Sequence, residues 1–195
     1  MKKYHLPLLF FASALLPFSV SYGQAAQAEA HLRKSIDQVV EVLLQPGSAA
    51  THLQKLRPVL ERSMCFETMT RRAVGPGWRD FSAPDQKAAT DYFTTVVIRR
   101  YTEGFTLGER PVIKFLGTTT PGADRAEIKT NTIYEGKKYE VIYRLENRGG
   151  WRVTDVIIEG VSLVANYRAQ FDSLFKRGGA KAVLDSLQRS AARNP

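Results

Sequence analysis

Tyr139-Glu140-Val141-Ile142-Tyr143-Arg144-Leu145, the turn Asn147-Arg148-Gly149-Gly150, and Trp151-Arg152-Val153-Thr154-Asp155-Val156-Ile157-Ile158 together decide the fold class. In the first run Tyr139, Val141, Tyr143 and Leu145 alternate with Glu140, Ile142 and Arg144, the two-residue period of a strand with one face packed. The glycine-containing link is short enough for an antiparallel hairpin. Upstream, Val112-Ile113-Lys114-Phe115-Leu116 stops at Gly117, and Ala126 to Tyr134 stops at Glu135-Gly136-Lys137. Downstream, Glu159-Gly160 ends the last run. These segments predict a four-stranded antiparallel meander.

The pattern is helical on both sides of the meander. Leu32, Ile36, Val39, Val40, Leu43 and Leu44 recur at three- and four-residue intervals from about Glu29 until Gln45-Pro46-Gly47. A second helix is expected to carry Leu53, Leu56, Val59 and Leu60, and a third spans Glu67 to Val74 before Gly75-Pro76-Gly77. Ser82 is placed to cap a long fourth helix, with Pro84 tolerated in its first turn and Gly104 at its end. After the meander, Val161, Val164, Tyr167, Phe171, Leu174 and Phe175 form a stripe, and Ala180 to Ala192 read as a final helix. Helices, a meander, then helices predict an α+β fold, with several helices packed on one face of the sheet.

The N-terminus bears on the compartment. Lys2 and Lys3 precede an apolar run from Leu6 to Val20 that is short for a membrane span, and Ala26-Gln27-Ala28 has the small-residue pattern of a cleavage site. Residues 1–28 are therefore expected to be a signal peptide and residues 29–195 a single domain; a cut after Gly23 or an uncleaved anchor are the alternatives. Cys65 is the only cysteine of the 195 residues, so packing rather than disulfides must hold the domain. The formal net charge is +9, which suits anionic partners, although a basic surface is also an ordinary way to stay solvated. Export makes nucleic acid the least fitting partner.

Groups for covalent chemistry are sparse. His31 and His52 have no Cys or His partner at metal-binding spacing, so structural or surface roles are expected and no metal is assigned. Gly160-Val161-Ser162 lacks the second glycine of a nucleophile elbow, and Ser162 reads as a helix N-terminal residue. Asp155 stands out within an apolar strand. On strict alternation it shares a face with Trp151, Val153 and Ile157, opposite Arg152, Thr154, Val156 and Ile158. One reading makes it a general base in a small-ligand isomerase-like enzyme; the other gives it a structural pairing. Large apolar side chains are abundant, but periodicity cannot tell a filled core from a cavity.

Two stretches resemble a known family. Met69-Thr70-Arg71-Arg72-Ala73-Val74-Gly75-Pro76-Gly77-Trp78, followed by Pro84-Asp85-Gln86, Phe93 and Tyr101, is similar to one block of the MlaC-type proteins, the toluene-tolerance auxiliary components of ABC transporters. Trp151 to Val164, with Asn166-Tyr167-Arg168 and Gln170-Phe171, is similar to a second block. The resemblance implies a periplasmic phospholipid carrier without enzymatic activity or cofactor, phospholipid being its cargo. It implies partners in an outer-membrane lipoprotein–porin complex and an inner-membrane ABC transporter with its substrate-binding component, in the service of outer-membrane lipid asymmetry. The implied fold is a curved, mixed-order antiparallel sheet against helices, like the nuclear-transport-factor or cystatin cone. The implied lipid pocket draws on Phe93, Val97, Tyr101, Tyr139, Val141, Tyr143, Trp151, Val153, Ile157, Val164, Tyr167 and Phe171. Arg99, Arg100, Lys137 and Lys138 are candidates for the head group. One departure is visible: Cys65 stands where the family often has an acidic residue before the helix at Glu67, a weaker cap by about 1 kcal/mol.

Overall fold

The computed structural model describes the backbone of residues 18–103 and 110–193, and the side chains of residues 23–100 and 110–193. The elements are α1 (Phe18–Leu43), α2 (Ala49–Ser63), α3 (Phe66–Val74), a 3-10 helix (Gly75–Asp80), α4 (Ala83–Glu103), β1 (Val112–Gly122), β2 (Arg125–Tyr134), β3 (Lys137–Asn147), β4 (Trp151–Ile158), β5 (Val161–Ser162) and α5 (Leu163–Ala191). The class is α+β with a curved, open antiparallel sheet, as expected. The strands lie in chain order, β1-β2-β3-β4-β5, so the sheet is a simple meander and not the mixed order that the resemblance implied. A fifth, two-residue strand was not anticipated. It forms where Val161 and Ser162 pair back onto Ile158 and Ile157 before the chain turns into α5.

The helix boundaries follow local chemistry. Ser82 Oγ accepts from the Asp85 amide at 3.3 Å, and Ser162 Oγ accepts from the Ala165 amide at 3.0 Å, so both serines cap the helices that follow them. Cys65 makes no side-chain cap bond to the α3 backbone. Gly178 and Gly179 leave helical geometry inside α5, which divides it near the start expected for a separate last helix. Gly104 lies outside the described residues. So do residues 1–17 of the expected signal peptide, while α1 runs unbroken from Phe18 through Ala26-Gln27-Ala28. Ala28 is fully buried in the core, and Glu29 accepts hydrogen bonds from Arg33 and from Thr118 of β1. The first of these bonds falls between residues one helical turn apart, and the second fastens α1 to the sheet edge.

Tyr139, Val141, Tyr143 and Leu145 of β3 face the helices. Their register partners on β4 settle which residues share that face: Val141 lies opposite Ile158, Tyr143 opposite Val156 and Leu145 opposite Val153. Between Arg144 and Leu145 the register shifts by one residue, leaving Thr154 as a bulge. The expected grouping of Asp155 and Ile157 with Trp151 and Val153 is therefore incorrect. One inserted residue reverses the alternation, so Val156 and Ile158 turn towards the helices while Asp155 and Ile157 turn away. The far face of the sheet carries the exposed pairs Glu127–Arg144 and Lys129–Glu140, at 3.0 and 2.7 Å.

The helical layer is tied down by aromatic packing and by the backbone. Phe93 of α4 is fully buried and meets Tyr167 and Phe171 of α5 edge-on, with ring centroids 5.0 and 6.3 Å away. The Cys65 amide donates to the Val153 carbonyl at 2.8 Å, joining the α2–α3 corner to β4 just before the bulge. Gly75 turns the chain after α3 with φ at +71° and ψ at −139°, a region that side-chain-bearing residues avoid. A Cβ there would stand 2.0 Å from the Arg168 guanidinium. Gly75→Ala should therefore lower stability by about 1–3 kcal/mol, read as a drop in thermal midpoint of about 2–4 °C per kcal/mol. An unchanged midpoint would contradict this account of the turn.

Candidate functional site

The concave face of the sheet and the helices above it do not close completely. A cavity of about 520 Å3 lies between β2–β4 and the facing parts of α4 and α5, a size within the range of small-molecule sites. Tyr134, Tyr139, Val141 and Tyr143 form its floor, and Leu163 and Tyr167 of α5 its roof. The hairpin of β4 and β5 supplies a greasy lip, with Ile158 37% and Val161 60% exposed. Arg100 stands at the border on the last turn of α4, exposed and without an ion-pair partner among the described residues. A smaller compartment of about 150 Å3, almost wholly apolar, lies on the α1 side of Tyr143. A third space, of about 490 Å3, is lined in part by the charged side chains of Arg72, Arg144, Arg168, Glu146 and Asp155.

The α+β meander thus carries an open, largely apolar cavity with a cation at its lip. The family described as MlaC protein matches residues 33–189. The chain belongs to the MlaC family. No curated protein matches it. Among solved structures it is similar to the phospholipid-binding protein from Ralstonia solanacearum, determined in complex with a phospholipid. The two share 21% identity over 85% of this chain and 97% of that chain, with a TM-score of 0.78. At that identity the likeness establishes the fold.

Of the residues expected to line the pocket of this MlaC chain, Tyr139, Val141, Tyr143 and Tyr167 border the main cavity. Val153 borders the α1-side compartment, and Val164 borders the third space. Phe93, Val97, Trp151 and Phe171 are instead packed in the core, where they support the walls without forming them. Ile157 is buried on the other face of the sheet. The Tyr101 side chain lies outside the described residues. Sequence reasoning missed Val156 and Ile158, which the bulge brings in, and Leu32, Ile36 and Val39, which it assigned only to a helical stripe. The polar pair Thr154-Asp155 inside an apolar strand was the signal that the register slips there.

The head-group candidates divide in the same way. Arg99 donates to the backbone carbonyls of Ser190, Ala191 and Arg193, closing the C-terminal end of α5 onto α4. Lys137 and Lys138 are exposed at the β2–β3 turn. Arg100 alone of the four borders the cavity.

Asp155 is held by hydrogen bonds to the strand and helix around it. Its Oδ1 accepts from the Val156 and Val164 amides at 2.9 and 3.1 Å, and its Oδ2 accepts from Ser162 Oγ at 2.7 Å. The carboxylate thus pins the bulge to the start of α5, which is the structural pairing weighed against a catalytic role. His52 is also structural, its two ring nitrogens meeting the carbonyl oxygens of Ser48 and Gln45 at 2.8 and 2.9 Å. Among the described residues no group of three or more His, Cys, Asp or Glu side chains is placed to hold a metal ion. Asp155→Ala strands two buried amides, and should cost more than about 2 kcal/mol in urea unfolding. A variant as stable as the parent would remove Asp155 from the architecture.

Glu146, buried at the end of β3, pairs with Arg72 of α3 and with Arg148. Burial opposes its ionisation, but the hydrogen bond from Arg72 and the charges of Arg72 and Arg148 prevail and hold the carboxyl below its ordinary value. A carboxyl lowered in the folded state adds stability above the unfolded value of about 4.3, and that gain disappears as pH falls through the folded value. Glu146→Gln should therefore cost about 1 kcal/mol at neutral pH, discounted because Arg72 is partly exposed. The gap between variant and parent should close in acid below the ordinary carboxylate range, as followed by denaturant midpoints across pH. A gap that stays constant with pH would refute the ion-pair account.

Proposed function

We propose that this protein is a periplasmic carrier of phospholipid that holds acyl chains between the sheet and its helices and performs no covalent chemistry. The observation that carries this reading is the open cavity floored by Tyr139, Val141 and Tyr143, with an exposed apolar lip and Arg100 at its edge. Membership of the MlaC family supports it, as does the fold shared with the Ralstonia phospholipid-binding protein. The apolar floor suits hydrocarbon, and the exposed guanidinium suits a phosphate that stays hydrated at the mouth, so that no unpaired charge is buried.

Residues 1–28 act in this reading as the export signal. Cleavage before Glu29 leaves the Glu29 carboxylate in the first turn of the shortened α1, where a negative charge is favourable. The mature protein shuttles lipid between an outer-membrane lipoprotein–porin complex and an inner-membrane ABC transporter with its substrate-binding component, and so maintains outer-membrane lipid asymmetry. Energetics require such partners. Each methylene leaving water yields about 0.8 kcal/mol, and a bilayer interior offers nearly the same, so a soluble cavity holds no decisive advantage over a membrane. Direction must come from the docking complexes.

Protein isolated from its native envelope without detergent should release phospholipid on solvent extraction, as identified by mass spectrometry. Lipid-free protein would overturn the proposal. Arg100→Ala should leave thermal stability unchanged and weaken phospholipid retention about three-fold, the scale of an exposed charge worth about 0.2–1 kcal/mol. Undiminished retention would remove Arg100 from the head-group site.

A further inference from the structure

The main cavity and the α1-side compartment are neighbours that share three wall residues, Thr132, Tyr143 and Val156. Tyr143 is the largest of the three and lies in the middle of the inner face, held in register between Ile128 of β2 and Val156 of β4. Its surroundings are unusual for a tyrosine. It is set so deep that burial pushes its phenol up to about 12, yet it keeps part of its surface accessible, as a side chain bordering internal space does. Its hydroxyl makes no hydrogen bond with the described residues, so no polar anchor fixes the ring as a structural strut.

The compartment beyond it is built for hydrocarbon. Its lining includes Leu32, Ile36, Val39, Leu60 and Val153. The hydroxyls of Ser35 and Ser63, which also border it, are spent on backbone carbonyls of their own helices, donating to His31 O at 2.8 Å and Val59 O at 3.1 Å. The hydroxyls of Thr132 and Tyr143 lie on the wall shared with the main cavity, so the lining beyond them offers water few partners, and apolar space of this kind takes apolar guests. At about 150 Å3 it equals the bulk share of about five waters, enough for the end of an acyl chain and too little for a whole one.

We propose that Tyr143 is the length stop of the lipid cavity: its ring closes the α1-side compartment, and the space behind it receives terminal methylenes only when that ring is displaced or shortened. The inference rests on the carrier reading above and adds to it the residue that selects among acyl chains. The hydroxyl is incidental to this role, and the ring is essential.

The test loads the mature protein with mixtures of phosphatidylethanolamines of graded acyl length and reads the bound lipids by mass spectrometry. Tyr143→Ala should raise the ratio of long- to short-chain lipid about ten-fold over the parent, the effect of roughly two further methylenes being sheltered. Tyr143→Phe should keep the parental ratio. Tyr143→Leu, which disturbs packing less, should shift it in the same direction as alanine and serves if the alanine variant does not fold. Adding Val40→Phe to the alanine variant refills the compartment from α1 and should restore the parental preference. Folded alanine or leucine variants that bind phospholipid with the parental length profile would overturn the length stop and leave the carrier reading intact. A parent protein that takes up no phospholipid would overturn both.

Discussion

In the β3–β4 ladder, Thr154 is one residue more than β3 can pair, and the chain absorbs it as a bulge that Asp155 then locks in place. With both carboxylate oxygens engaged, Asp155 joins the bulged strand to β5 and to the first turn of α5. The consequences extend through the site. The slip turns Val156 and Ile158 onto the concave face, fixes where α5 begins, and so sets Leu163 and Tyr167 above Tyr139 and Val141. Without the slip, the carboxylate would face the helices and the cavity floor would carry a charge.

A cavity between a sheet and helices survives only if the layers are kept from collapsing onto it, since interiors otherwise pack closely. Here the supports lie to either side of the open space. Phe93, Tyr167 and Phe171 interlock α4 with α5, Arg99 ties the far end of α5 back to α4, and the Cys65 amide holds the α2–α3 corner on β4. The space near Glu146 and Arg168 is by contrast walled by charged side chains already engaged, with Arg72 pairing to Glu146 and Arg168 to Asp172 and the Arg72 carbonyl. Residues quoted for the family resemblance thus serve two different ends. Gly75 and Arg168 shape a turn, whereas Tyr167 meets the cavity.

Much of the fold was legible because its signals are local. Period-two and period-3.6 patterns located the four long strands and the helices, Ser82 and Ser162 announced their helix starts, and the Gly178-Gly179 pair broke α5 near where a new helix was expected. The two-residue β5 escaped because so short a run has no period. The pocket was legible only in part: Tyr139, Val141, Tyr143 and Tyr167 carry the alternation or stripe that leads to the cavity, while Phe93, Val97 and Phe171 carry the same signal and fill the core. Ile157 was misassigned because a strand's alternation persists only while its register does.

The sequence by itself determined the order of the longer helices and strands, the α+β class, the family and the absence of any internal disulfide, because these depend on neighbours along the chain or on composition. Only the tertiary structure decided which face Asp155, Val156 and Ile157 take, which apolar side chains leave a void between them, and which arginine reaches its edge. Those outcomes depend on pairing between strands and on distances between layers. A single bulged residue or a few ångströms of separation changes them without altering the hydrophobic pattern of any one segment.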